Sequence, residues 1–137
     1  MPVFVDTGAW FAYFVRRDPD HEAGVNWMRQ NRQPSVTTDY VLDELFTLLK
    51  VRESHSVAAA AGVALLDQSV TRLERIGEPD FRAAWEAFQQ YSDKGWSFTD
   101  CTSKVVMQRL SVTHAFAFDR HFEEFGTVIR VPESISS

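Results

Sequence analysis

The chain is short of the residues that staple or interrupt a fold. Among 137 residues there are one cysteine, five prolines and six glycines. A lone thiol, Cys101, excludes an internal disulfide and any cysteine-rich zinc centre, so it reads as a small buried side chain. Long apolar runs are missing too. The longest, such as 57–66, fall short of the roughly 20 residues that a bilayer span needs. The start, Met1-Pro2-Val3-Phe4-Val5-Asp6, has no basic region ahead of a long apolar core. A cytoplasmic protein without membrane attachment is expected. Positive charge is the remaining shortage: 14 Lys and Arg stand against 19 Asp and Glu, for a net charge of −5. That balance argues against a protein that grips nucleic acid through its own basic surface. It does not exclude a metal-dependent nuclease, whose carboxylates hold cations that in turn meet the phosphate.

What is present suffices for one core. A hydrophobic content of 45% and an aromatic content of 13% predict a single domain over residues 1–132, followed by a polar tail at 133–137. Val3 to Val5 reads as a short strand, Ala9 to Val15 as a helix, and Pro34 to Thr38 as a second strand. The segment His21 to Asn31 has weaker helical character. Asp39 to Arg52 is the clearest amphipathic helix, Ser56 to Leu66 is an alanine-rich one, and Val70 to Ile76 reads as a strand. Acids flank Pro79 at the start of a helix carried by Ala84, Trp85, Ala87, Phe88 and Tyr91. Thr99 or Asp100 is expected to cap the next helix. Ala115 to Phe118 is apolar throughout, as suits a strand covered on both faces, and Thr127 to Val131 closes the chain. Strands alternating with helices imply an α/β domain with a mostly parallel sheet between helical layers.

Carboxylates fall at telling places in this plan. Asp6 and Asp119 lie just past strand ends, and Asp100 lies at a helix start. Glu44 sits within the apolar stripe of Val41, Leu45 and Leu48 and should point inward, whereas Asp43 is rotated about 100° away. An inward carboxylate is costly unless paired, protonated or bound to a cation. Beyond the carboxyl ends of a parallel sheet these four acids can converge, and an all-oxygen site suits Mg²⁺ or Mn²⁺ better than zinc.

Val5-Asp6-Thr7, the Glu44 segment 40–45, Ser97-Phe98-Thr99-Asp100-Cys101-Thr102-Ser103 and Phe118-Asp119-Arg120-His121-Phe122 resemble the acidic motifs of the PIN domain. The whole chain is similar to VapC-type toxins. The resemblance implies a PIN-like three-layer α/β/α fold and a metal-dependent endoribonuclease. In it Asp6, Glu44, Asp100 and Asp119 are the metal-binding acids, with Thr7 or Thr99 bonding to them or to a water. It further implies an RNA substrate, a small antitoxin partner and often a homodimer. Two ions about 4 Å apart would serve in-line phosphodiester hydrolysis. With no cation bound, such clustered acids repel, so at least one should titrate with a raised pKa.

Rival readings explain less. Asp6-Thr7-Gly8 matches the aspartic-protease tripeptide, but those enzymes are mostly β. A phospho-aspartate phosphatase wants an acid two residues after Asp6, where Gly8 stands. A noncatalytic RNA- or protein-binding module is the alternative in a different class, and the presence of all four acids weighs against it. His21, His55, His114 and His121 show no metal-ligand spacing and are assigned to the surface or the core.

Overall fold

Three short strands at the centre set the position of everything else. In a computed structural model describing residues 1–125 and 129–132, Val3–Val5 (β1) pairs in parallel with Ser35–Thr38 (β2) on one side. On its other side lies His114–Phe116 (β4). Arg72–Glu74 (β3) and Ile129–Val131 (β5) form the edges, giving a five-stranded parallel sheet in the order β3-β2-β1-β4-β5. Every residue of β1 and β2 is buried, because a parallel sheet is covered on both faces.

The chain leaves β1 through helices Thr7–Phe14 (α1) and His21–Gln30 (α2) to reach β2. It then passes through Asp39–Arg52 (α3) and His55–Leu66 (α4) to β3. It returns through Glu78–Gln90 (α5) and Phe98–Leu110 (α6) to β4. A 3-10 turn over Arg120–Phe125 leads to β5. Right-handed crossovers in opposite directions place α1–α4 and α5–α6 on opposite faces of the sheet. The order reverses between β1 and β4, so a crevice opens beyond their carboxyl ends. The Asp6 N–H donates to the Phe116 carbonyl at 3.1 Å, which fixes those two ends together.

Helix α3 covers the predicted residues, begun by Thr38, whose hydroxyl accepts from the Val41 N–H at 3.1 Å. At α6 the expectation is corrected. Neither Thr99 nor Asp100 is the cap; Ser97 is. Its hydroxyl accepts from the Asp100 N–H and the Asp100 carboxylate accepts from the Ser97 N–H, both at 3.0 Å. This reciprocal box fixes Asp100 at the third helical position. The strand predicted over Val70 to Ile76 shrinks to Arg72–Glu74, since an edge strand has only β2 to pair with. The strand predicted over Ala115 to Phe118 ends at Phe116. Of the last predicted strand, 129–131 is observed, while Thr127 and Val128 lie outside the described residues, as does the tail at 133–137.

Trp10 is fully buried under the sheet, its indole N–H donating to Thr37 Oγ1 at 3.2 Å, while the Thr37 hydroxyl donates to the Val5 carbonyl at 2.9 Å. That chain of bonds satisfies two polar groups inside the core and anchors α1 across β1 and β2. At the far side, Arg109 near the end of α6 forks onto Asp80 of α5, with both bonds at 3.0 Å, and also reaches Glu74 of β3. Asp80→Ala should cost about 1–3 kcal/mol, because it strands a guanidinium that is partly withdrawn from water. With Arg109 43% exposed, the lower half of that range is expected. A urea midpoint unchanged from wild type would show that the tie contributes nothing.

Candidate active site

Asp6 sits at the N-cap position of α1 in extended conformation, yet its side chain makes no capping bond. The carboxylate is buried at 4% exposure instead, facing the crevice beyond β1. Burial and, after it, the charge of Asp100 push the Asp6 carboxyl up to about 8, with Glu44 and Asp119 adding to the rise; the Thr7 backbone N–H opposes it. Asp6, at the end of β1, thus feels the charges of Glu44 in α3, Asp100 in the first turn of α6 and Asp119 in the turn after β4, although Asp6 and Glu44 stand outside the tight group that Asp100 and Asp119 form. The expectation that one clustered acid titrates high is met at Asp6.

Their surroundings differ in ways that decide what each can do. Asp100 is 7% exposed and held by the capping box. Glu44 is half-buried, in keeping with its place in the apolar stripe, while Asp43 is exposed. Asp119 is exposed, its Oδ1 accepting from the His121 N–H at 2.9 Å, so it is also a turn residue. Among the described residues, no Lys or Arg forms an ion pair with any of the four. Lys104, a possible partner for Asp100 by spacing, lies over the Tyr91 ring at 5.8 Å instead. Two hydroxyl oxygens nearby in sequence, Thr7 Oγ1 and Ser103 Oγ, are buried with no hydrogen-bond partner among the described residues. Thr7 follows Asp6, and Ser103 stands one turn after Asp100. The Thr99 side chain forms no hydrogen bond among those described.

One further participant leaves no periodic trace in residue spacing. His121 places Nδ1 3.0 Å from Asp100 Oδ2 and 3.3 Å from Asp119 Oδ2. Carboxylates only accept, so Nδ1 carries the proton and donates. Ligand atoms of Asp100, Asp119 and His121 lie within 4.8 Å of one another, close enough to share one cation. A Cβ at position 95 would approach His121 Nε2 to 3.3 Å, so Gly95 leaves room for the ring. The usable signal is the Asp119-x-His121 spacing directly after a strand, which a turn folds back on itself. His121→Ala should reduce divalent-cation affinity about 10–100-fold, the scale seen when ligand orientation is lost. Calorimetry reads this, and an unchanged affinity would demote His121 to packing.

The PIN-domain family model matches residues 3–128. The chain belongs to the PIN-domain family. Its sequence is 33% identical over 131 residues to the 23S rRNA-specific endonuclease VapC20 of Mycobacterium tuberculosis, covering 96% of this chain and 99% of that protein. A VapC ribonuclease of Archaeoglobus fulgidus is 26% identical over 132 residues, covering 89% of this chain and 80% of that one. The crystal structure of the M. tuberculosis VapC20, described as a toxin that cleaves the sarcin-ricin loop, superposes with a TM-score of 0.86 at 31% identity. That alignment covers 90% of this chain and 95% of the other. VapBC2 from Rickettsia felis, solved with a DNA fragment from its promoter, gives a TM-score of 0.67 at 10% identity over 95% and 97% of the two chains, a likeness of fold alone. The three-layer PIN architecture anticipated from the motifs is the one observed.

Proposed function

We infer that this PIN-domain protein is a divalent-metal-dependent endoribonuclease of the VapC kind, the toxin of a type II toxin–antitoxin pair. It hydrolyses RNA phosphodiester bonds with Asp6, Glu44, Asp100 and Asp119 as its acids. The charges of Asp100, Glu44 and Asp119 bearing on buried Asp6, with no Lys or Arg paired to the four among the described residues, carry this reading, and the names of its relatives support the toxin role. An antitoxin that covers the crevice, a second copy of the chain and a cytoplasmic setting, where Cys101 stays reduced, belong to the same reading. No helix of the described residues is long and apolar enough to cross a membrane.

The residues fit a hard cation. Carboxylate oxygens dominate the donor set, buried Asp6 gives up its proton readily only if a cation offsets the charge, and Thr7 Oγ1, on the next residue, is buried with no hydrogen-bond partner among the described residues. Mg²⁺ or Mn²⁺ is the proposed ion on that ground. When bound, the cation supplies the positive charge that draws in the phosphate and makes water a competent nucleophile near neutral pH. Asp100 is held rigid by its capping box and His121, so it fixes one side of the site. Asp119, exposed, forms the rim through which RNA enters. Glu44 keeps its carboxylate toward the crevice because α3 anchors it between Val41 and Leu45. The test is incubation of the purified protein with total RNA in EDTA, Mg²⁺ or Mn²⁺. Cleavage that needs the cation is expected; equal cleavage in EDTA would sink the proposal.

A further inference from the structure

The histidines of this chain have different company. His21 Nδ1 lies 2.8 Å from the Ala12 carbonyl, His114 Nδ1 lies 3.1 Å from the Thr113 hydroxyl, and His55 is exposed at the start of α4. Among the described residues, His121 is the histidine that meets carboxylates. Its backbone N–H donates to Asp119 Oδ1 at 2.9 Å, and its Nδ1 stands 3.3 Å from Asp119 Oδ2 and 3.0 Å from Asp100 Oδ2. The turn therefore holds Asp119 and the ring as one unit, while the capping box fixes Asp100 opposite them. Asp100 Oδ1 forms no hydrogen bond among the described residues, and the His121 ring is partly exposed, so an ion can arrive from water.

We propose that His121 is a nitrogen ligand that sets the metal preference of this centre, making it a mixed oxygen–nitrogen site that takes a first-row transition-metal ion in preference to Mg²⁺. The inference rests on the metal-dependent ribonuclease reading and adds to it the class of ion. Spacing supports it. Six donors at about 2.1 Å from an ion stand about 3 Å from their neighbours, and Nδ1 already stands 3.0 Å and 3.3 Å from two carboxylate oxygens. The same spacing suits an N–H···O bond, so the ring serves either role without a large movement. To coordinate, the ring shifts its proton from Nδ1 to Nε2 and offers the Nδ1 lone pair as a neutral imidazole. Nε2 faces Gly95, where the missing Cβ leaves that nitrogen uncrowded. Chemistry decides the preference. Mg²⁺ sheds water reluctantly and is held by one or two carboxylates with waters completing its octahedron, so an imidazole adds little to its binding. Transition ions take imidazole readily, and the nitrogen strengthens their hold selectively.

The experiment loads the EDTA-treated full chain with Mn²⁺ and reads nitrogen coupling by pulsed electron paramagnetic resonance, with Mn²⁺ and Mg²⁺ affinities measured beside it by competition calorimetry. Mn²⁺ is the weakest binder of the first-row series, which makes it the strict probe. The wild type should show the modulation of a directly bound nitrogen and should bind Mn²⁺ more tightly than Mg²⁺. His121→Asn offers an amide oxygen in place of the ring nitrogen at unchanged charge. It should lose the modulation and cut the preference for Mn²⁺ about tenfold or more, through weaker Mn²⁺ binding. His114→Asn, at the amino end of β4 and away from the acids, should keep both. Circular dichroism confirms that each variant is folded. A wild type without nitrogen coupling overturns the proposal. So does a His121→Asn variant whose two affinities fall by the same factor, which would leave the ring as a positioning group for Asp100 and Asp119. In both cases a wild type that cleaves RNA only with a cation keeps the ribonuclease reading. A wild type that binds neither ion removes both.

Discussion

Asp6→Asn should yield a protein more stable than the wild type and catalytically dead. The wild-type carboxylate is buried beside Asp100, Glu44 and Asp119, so its ionisation opposes folding; an amide of the same shape carries no charge and can donate to those neighbours. In EDTA at pH 8 the variant should melt about 5 °C or more above wild type. Its RNA cleavage under saturating Mn²⁺ should fall about a hundredfold or more, as when one strong electrostatic group is lost from an active site. The pairing of outcomes is what matters. A residue held for packing would lose stability on substitution. One held for function at the expense of the fold gains it. An Asn variant that is both less stable and fully active would remove Asp6 from the site.

The second large effect is a pH dependence that a cation reverses. Asp6 has a folded pKa of about 8 against an unfolded value near 4, so between those limits the folded state holds a proton that the unfolded state has released. Stability must then fall as pH rises through that window, is unaffected by Asp6 below it, and levels off above it. A carboxyl displaced this far carries at most about 6 kcal/mol. The EDTA-treated protein should therefore melt progressively lower from pH 5 to pH 8, and Asp6→Asn should flatten much of that slope. Mn²⁺ binds the ionised site, so it should raise the melting temperature most at pH 8. A wild-type profile that is flat or rises over this range in EDTA would contradict the burial assigned to Asp6.

Much of this arrangement was legible before any coordinates. Glu44 is half-buried, as its stripe requires, because a helix leaves that carboxylate only one direction to point once Val41 and Leu45 are committed to the core. Asp6 and Asp119 followed from the rule that chain ends of parallel strands gather on one side. The misread α6 cap has a physical cause: Ser97, Thr99 and Asp100 are all good caps by type, and only the reciprocal bonds between Ser97 and Asp100 select one. His121 was lost because its role depends on a turn that folds Asp119-Arg120-His121 back toward α6, a contact across 21 residues with no periodic trace. On α5, Ala84, Trp85, Ala87, Phe88 and Tyr91 all fit one broad apolar arc. Only Ala84 is fully buried, while Trp85 and Phe88 face water. Hydrophobic pattern reports which residues could be covered, and the neighbours decide which are.

Calorimetric titration of Mn²⁺ into the EDTA-treated protein at pH 7, repeated in buffers of different ionisation enthalpy, tests the central claim most directly because it counts the protons released on binding. A site built around Asp6 with a pKa of about 8 should release close to one proton per site filled, and Asp6→Asn should release almost none. Binding with no proton released from the wild type, or no binding at all, would contradict a cation centre at these four acids.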